Sequence, residues 1–212
     1  MKRPLFRPHL ATRDGSPVTP GATEREQAAA FRALMLPHLD AAYNLARYLT
    51  RDPALAEDVV QDAFLRAHRA FAQYRGVSAK AWLFAIVRNC CWSALQVQRG
   101  IGQVAVSENA FSADEARAFV EYQDESGTPE TQLARAREAA ALRGMIMELP
   151  EPFRETLVLR EMDDLSYKEI AAVTGVAMGT VMSRLARARM MLGELLLPGP
   201  DSGPDATREA KR

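Results

Sequence analysis

The segment Ser166–Met190, SYKEIAAVTGVAMGTVMSRLARARM, constrains this chain more than any other. Ser166 and Glu169 have the S-x-x-E spacing of a capping box, which predicts a helix from Tyr167. Ile170, Ala171 and Val173 supply its apolar face, and Gly175 can take a positive φ at little steric cost and stop it. A second helix follows. Val181 and Leu185 stand at i, i+4 for packing, while Thr180, Ser183, Arg184 and Arg187 are spaced to lie largely outward. This is the pattern of a helix-turn-helix whose second helix is basic, a shape that fits the major groove of duplex DNA.

Charge is informative by its distribution. The 212 residues carry 27 basic and 27 acidic side chains, which argues against a generic polyanion binder. Yet Ala63–Ser107 holds no Asp or Glu, where the average density predicts about six, and it carries Arg66, Arg69, Arg75, Lys80, Arg88 and Arg99. Over residues 100–132 the sign reverses: Glu108, Asp114, Glu115, Glu121, Asp124, Glu125 and Glu130 face Arg117 alone. The helix Met178–Met190 has three arginines and no acid. Two basic surfaces thus flank an acidic connector, and basic surfaces attract phosphates and release counterions.

The remaining pattern reads as all-α, with two small helical domains joined by a flexible acidic linker. Residues 1–23 hold four prolines and two glycines and read as a flexible arm. Helical periodicity begins near Glu24, is interrupted by Pro37, and resumes to Leu49. Asp52-Pro53 is a cap followed by proline in the first turn, opening a helix to about Ala72. QYRGVS (Gln73–Ser78) is a turn, and a third helix runs from about Ala79 to Gln98. Within the connector, 100–127, Ala113–Tyr122 has the makings of a short helix. Thr128-Pro129 opens another helix that Pro150 ends, Pro152 opens a shorter one through Arg160, and the helix-turn-helix closes a second domain spanning 128–197. The first domain spans 24–99, and 198–212 reads as a disordered tail.

Several chemistries find no support. His9, His38 and His68 lie far apart with no metal-ligand spacing to the cysteines, so no metal or cofactor is expected. There is no glycine-rich phosphate loop and no G-x-S-x-G, and no catalytic constellation stands out. Cys90 and Cys91 are adjacent inside a helical pattern, which disfavours a disulfide between them and suits buried reduced thiols. No signal peptide or membrane span is read, so a cytoplasmic location is expected.

The segments AEDVVQDAFLRAHRAF (Ala56–Phe71), KAWLFAIVRN (Lys80–Asn89) and LPEPFRETLVLREMDDLSYKEIAAVTGVAMGTVMSRLARAR (Leu149–Arg189) together resemble bacterial RNA polymerase sigma factors of the small extracytoplasmic-function (ECF) subfamily. The resemblance covers about 27–98 and 129–196 in the family's order. It implies a non-enzymatic stress-response initiation factor that binds core RNA polymerase and selects promoters. The first domain would be sigma region 2, for polymerase binding and minus-ten melting; the second would be region 4, reading the minus-thirty-five element as duplex. It also implies an anti-sigma factor as partner.

Carried onto this sequence, Asp58, Gln61, Asp62 and Leu65 share one helix face and match the polymerase-docking helix, with Phe64, one step round, in the core. Tyr74, Arg75, Lys80, Trp82, Arg88 and Asn89 match the minus-ten strand surface, where cations follow a backbone and planar groups receive unstacked bases. Trp82 shares a face with Ile86, which suits core packing as well as base stacking. On the recognition helix, Thr180 and Arg189 are candidates for phosphate, and Ser183, Arg184 and Arg187 for base edges or flanking phosphates. Met182 stands where the family often has lysine or arginine and offers an apolar contact instead, such as with a thymine methyl. An autonomous helix-turn-helix regulator is the competing reading, but it gives no reason for the 27–98 block.

Overall fold

The computed structural model describes residues 24–76, 78–100 and 128–196. The arm, the connector beyond Gly100 with its short-helix expectation at Ala113–Tyr122, and the tail lie outside the described residues. Those described form α-helices and short 3-10 turns, with no strand among them.

Local chemistry sets the boundaries. In the first group, α1 (Glu24–Met35) passes through a 3-10 turn, Leu36–His38, into α2 (Leu39–Thr50), the break falling at Pro37, which has no N–H to continue the ladder. Arg51 then takes a left-handed conformation, φ 61°. The Asp52 carboxylate accepts from the Leu55 amide at 3.2 Å, and α3 (Pro53–Ala70) begins with proline in its first turn. After a 3-10 turn at Phe71–Gln73, α4 runs from Ala79 to Gly100.

In the second group, the Thr128 hydroxyl accepts from the Thr131 amide to start α5 (Pro129–Glu148). The next helix, α6 (Glu151–Glu161), opens one residue before Pro152, which occupies its first turn. The reciprocal capping box starts α7 (Tyr167–Thr174): the Glu169 amide donates to the Ser166 hydroxyl at 3.3 Å, and the Ser166 amide donates to the Glu169 carboxylate at 2.8 Å. Gly175 closes α7 at φ 72°, and α8 (Met178–Leu196) follows.

Each group buries its own apolar stripe. Met35, Leu45, Tyr48, Leu83, Phe84 and Val87 are enclosed among α1–α4; Leu149, Leu159, Ile170, Val181 and Leu185 among α5–α8. Phe64 is half-buried against the first core, as the helical spacing requires. The two stripes meet, because α4 packs on α7 and α2 packs on α6. Cys90 and Cys91 are buried in α4 as free thiols, and burial pushes them up to about 11 and about 12. They are therefore neutral at physiological pH. No described helix is long and apolar enough to cross a membrane.

Candidate nucleic-acid interface

The outer face of α8 is built by its inner face. Val181, Leu185 and Ala188 are buried at helical spacing, which turns Met182, Ser183, Ala186, Arg187 and Arg189 to the surface. The Ser183 hydroxyl donates to the Thr180 carbonyl at 3.0 Å. Met178 and Met182, one turn apart, are both about half exposed and give the N-terminal end of α8 an apolar edge. Two residues depart from the outward reading: Thr180 and Arg184 are only partly exposed. The charge of Arg184 makes a minor contribution to favouring the ionised Glu155 carboxylate of α6. Arg189 is exposed but engaged, its Nη2 donating to Glu161 Oε1 of α6 at 2.6 Å.

The α3 face is open. Asp58, Gln61 and Leu65 are exposed, with Leu65 at 58%. Asp62 pairs with Arg66 one turn on, at 2.7 Å, an exposed pair worth only a few tenths of a kcal/mol, about 0.3–0.5. The expected docking residues thus share one accessible surface.

The expected strand-binding residues do not. Tyr74, expected to receive an unstacked base, is 3% exposed, stacked on Phe71 at 5.8 Å and tilted against Trp82 at 5.4 Å. The aromatic ring that QYRGVS presents packs into the first core, stacked on Phe71. Trp82 is half-buried and packs against the same core. Arg75 and Asn89 are exposed, with Arg75 donating to the Ala72 carbonyl at 3.0 Å.

Lys80 and Arg88, the two inner cations of α4, reach across to the second group. Lys80 Nζ lies 3.1 Å from Asp163 Oδ1 and donates to the Asp163 carbonyl at 2.7 Å. Arg88 Nε donates to Glu155 Oε1, with Nη2 to Oε2 at 3.5 Å, and its guanidinium lies 5.6 Å from the Trp92 ring. Both acids are deeply buried, Asp163 at 5% and Glu155 at 2% exposed. Burial raises both carboxyls, Asp163 to about 6, while Lys80 and Arg88 pull them back. Two further links join the groups. Arg51 Nη2 donates to the Met147 carbonyl at 2.6 Å, at the end of α5. Ser78 contributes a hydrogen bond to Glu169, whose carboxyl sits below its ordinary range because bonds from Ser166 and Ser78 outweigh its partial burial. No local sequence signal marks Glu155 or Asp163, since their partners lie 67 and 83 positions away.

Among the described residues no group of His, Cys, Asp and Glu is placed to hold a metal ion.

The chain matches two family models, sigma-70 region 2 over residues 34–100 and sigma-70 region 4 over residues 139–192. It is 34% identical over 180 residues to the RNA polymerase sigma-H factor of Pseudomonas aeruginosa, covering 82% of this chain and 90% of that protein. With the ECF RNA polymerase sigma-E factor of Escherichia coli K12 it shares 35% identity over 142 residues, covering 66% of this chain and 73% of that one. Among solved structures it resembles the sigma factor RpoE of Bartonella quintana in complex with the anti-sigma factor NepR, with TM-score 0.57 and 28% identity over 78% of this chain and 96% of that one. It also resembles CnrH in complex with the cytosolic domain of CnrY, with TM-score 0.51 and 27% identity over 80% and 88% of the two chains. Two helical units, one ending in a basic helix-turn-helix, are the architecture of a transcription initiation factor. The chain belongs to the extracytoplasmic-function sigma factors of the sigma-70 family.

Proposed function

We propose that this chain binds core RNA polymerase through the exposed α3 face, reads a minus-thirty-five element as duplex through α8, and holds the melted minus-ten strand along α4. The observation that carries this reading is the coexistence, in one chain of this family, of an acidic docking face at Asp58, Gln61 and Asp62 with an outward basic recognition helix. A self-sufficient DNA-binding regulator has no use for the first of these.

The roles follow from chemistry. Asp58, Gln61 and Asp62 offer acceptors and charge to a basic partner surface, and Leu65 adds an apolar edge. Arg187 and Ser183 are exposed polar groups of α8 open to base edges or phosphates, and Met182 supplies apolar contact with a thymine methyl. Arg184, partly exposed, is a further candidate, and Arg189 reaches DNA by exchanging Glu161 for a phosphate. Thr180 donates to a phosphate at the helix start. The strand contacts are Arg75, in the turn before α4, and Lys80, Arg88 and Asn89 on α4. Residues 24–99 serve as region 2, 128–197 as region 4, and the acidic 100–127 segment as the connector between them. An anti-sigma factor holds the chain inactive, as the RpoE relative is in complex with the anti-sigma factor NepR in its solved structure.

The test is capture of core polymerase by the purified chain. Retention of core by the wild type, weakened by Asp58→Arg with helicity unchanged, supports docking through α3. A folded wild-type chain that shifts duplex DNA alone and captures no core overturns the reading in favour of an autonomous regulator.

A further inference from the structure

Close-packed protein interiors leave few voids larger than a single water. A cavity of about 410 Å³ nevertheless opens where α2, α5, α6 and α8 meet. Its inner wall is apolar: Ile146 of α5 and Leu157 and Val158 of α6 are buried, and Leu192 of α8 is half-buried. Leu142 and Met162, both exposed, border it where it reaches solvent.

Two donors stand in this wall. Tyr48 of α2 is wholly buried, and burial lifts its hydroxyl to about 12, so it is a neutral O–H. Arg143 of α5 is 8% exposed. The charges of Arg143 and Arg47 pull the Tyr48 hydroxyl down, and Asp163 pushes it up. A guanidinium has five N–H donors and no acceptor, so Arg143 can serve a bound group beside the contacts it makes within the chain. The acids nearby are each held by a cation: Glu161, at the cavity's edge, by Arg189 at 2.6 Å, and Asp163 by Lys80 at 3.1 Å.

We propose that this cavity binds a small amphiphile with one carboxylate head and an apolar tail, the head on Arg143 and Tyr48 and the tail along Ile146, Leu157, Val158 and Leu192. A volume within about 300–1,000 Å³, an apolar lining and a few convergent polar groups are the composition of a small-molecule site, and such sites favour junctions between domains and the spaces between packed helices. The donors select an acceptor head. Hydrogen bonds from a guanidinium to a carboxylate are about twice as strong as neutral ones. A cationic head would instead be taken out of water beside a like charge. The cavity uses none of the side chains assigned above to polymerase or DNA, so its occupancy is independent of those roles. Asn44 and Tyr48 come from the first helical unit and the remaining wall from the second, so neither unit holds the site alone.

The test is calorimetric titration of the full-length chain with decanoate, below its micelle-forming concentration. Decylamine, with a tail of the same length and the opposite charge, is titrated alongside. Two variants are compared with the wild type, with helicity followed by circular dichroism. Ala139→Trp fills the cavity from a half-buried position in its wall, and Leu142→Trp at the exposed edge replaces it if the first fails to fold. Arg143→Met removes the cation. The expected result is one decanoate bound per chain, with a urea midpoint that rises as decanoate is added, because a ligand that binds only the folded form stabilises it. Decylamine binds at least about tenfold more weakly, the factor that one charge-assisted hydrogen bond supplies. The filled variant loses decanoate binding, and Arg143→Met weakens decanoate at least about tenfold without weakening decylamine. A folded wild type with no saturable decanoate binding overturns the proposal, as does a folded filled variant of wild-type affinity. Equal affinity for decanoate and decylamine overturns the carboxylate head. If Arg143→Met loses helicity, the wild-type ratio of the two affinities decides the head and the filled variant decides the place.

Discussion

Replacing Asp163 by Asn isolates the cost of burying one charge in the seam between the two helical units. The carboxyl is 5% exposed. Burial lifts it from 3.8 to about 6; Lys80 pulls it down without offsetting this, and Asp164 pushes it further up. Lys80 also faces His38, whose imidazole is lowered first by burial and then by that charge. A carboxyl that is easier to protonate in the folded chain makes the folded chain bind more protons than the unfolded one between pH 3.8 and about 6. Its stabilising contribution is complete below the unfolded value and is lost as pH rises through about 6. At about 1.36 kcal/mol per pH unit, the interval from 3.8 to about 6 corresponds to about 3 kcal/mol. His38 acts in the opposite direction, losing stability as pH falls, and it is intact in both proteins, so it drops out of the difference. Urea unfolding of wild type and Asp163→Asn across pH is the assay. From about pH 4 to about pH 7 the wild type loses up to about 3 kcal/mol relative to the variant, and above about pH 7 the two curves run parallel. Parallel curves over the whole range, or a wild type that gains on the variant as pH rises, would refute the reasoning.

Three other outcomes are expected. Ser166→Ala removes the acceptor of the Glu169 amide and costs about 1 kcal/mol of stability, read as a lower urea midpoint with an unchanged slope. Leu185→Ala opens a cavity at a position only 1% exposed and costs about 2–5 kcal/mol; a loss well under 1 kcal/mol would mean that α8 does not pack through this residue. Arg187→Ala, at an exposed site, leaves unfolding unchanged and lowers the magnitude of the salt dependence of promoter binding by the polymerase complex by about one, if it meets a phosphate. An unchanged slope with a changed sequence preference would assign it to a base edge instead.

The helix boundaries were legible because they are set by neighbours in sequence. Pro37, Asp52-Pro53, Thr128-Pro129, the Ser166/Glu169 box and Gly175 each act within four residues, and each stands where its chemistry requires. The inward face of α8 was equally plain from Val181 and Leu185. What the sequence hid was long-range. Tyr74 sits in a polar turn whose composition signals exposure, yet Phe71 and Trp82 draw its ring into the core. Glu155 lies in a helix that reads as ordinary and charged, but its surroundings bury it to 2% because Arg88 arrives from the other unit. Arg184 was placed outward by spacing alone. It is only partly exposed, and its charge is felt by that same buried carboxylate, a proximity no window of the sequence around α8 contains.

Run-off transcription with purified core polymerase on genomic promoter fragments tests the central claim most directly. The account predicts specific transcripts that require both this chain and core enzyme and that are lost or sharply reduced with Arg187→Ala, while the variant still captures core. A well-folded wild-type chain that yields no transcript and captures no core polymerase, yet shifts duplex DNA by itself, would contradict it.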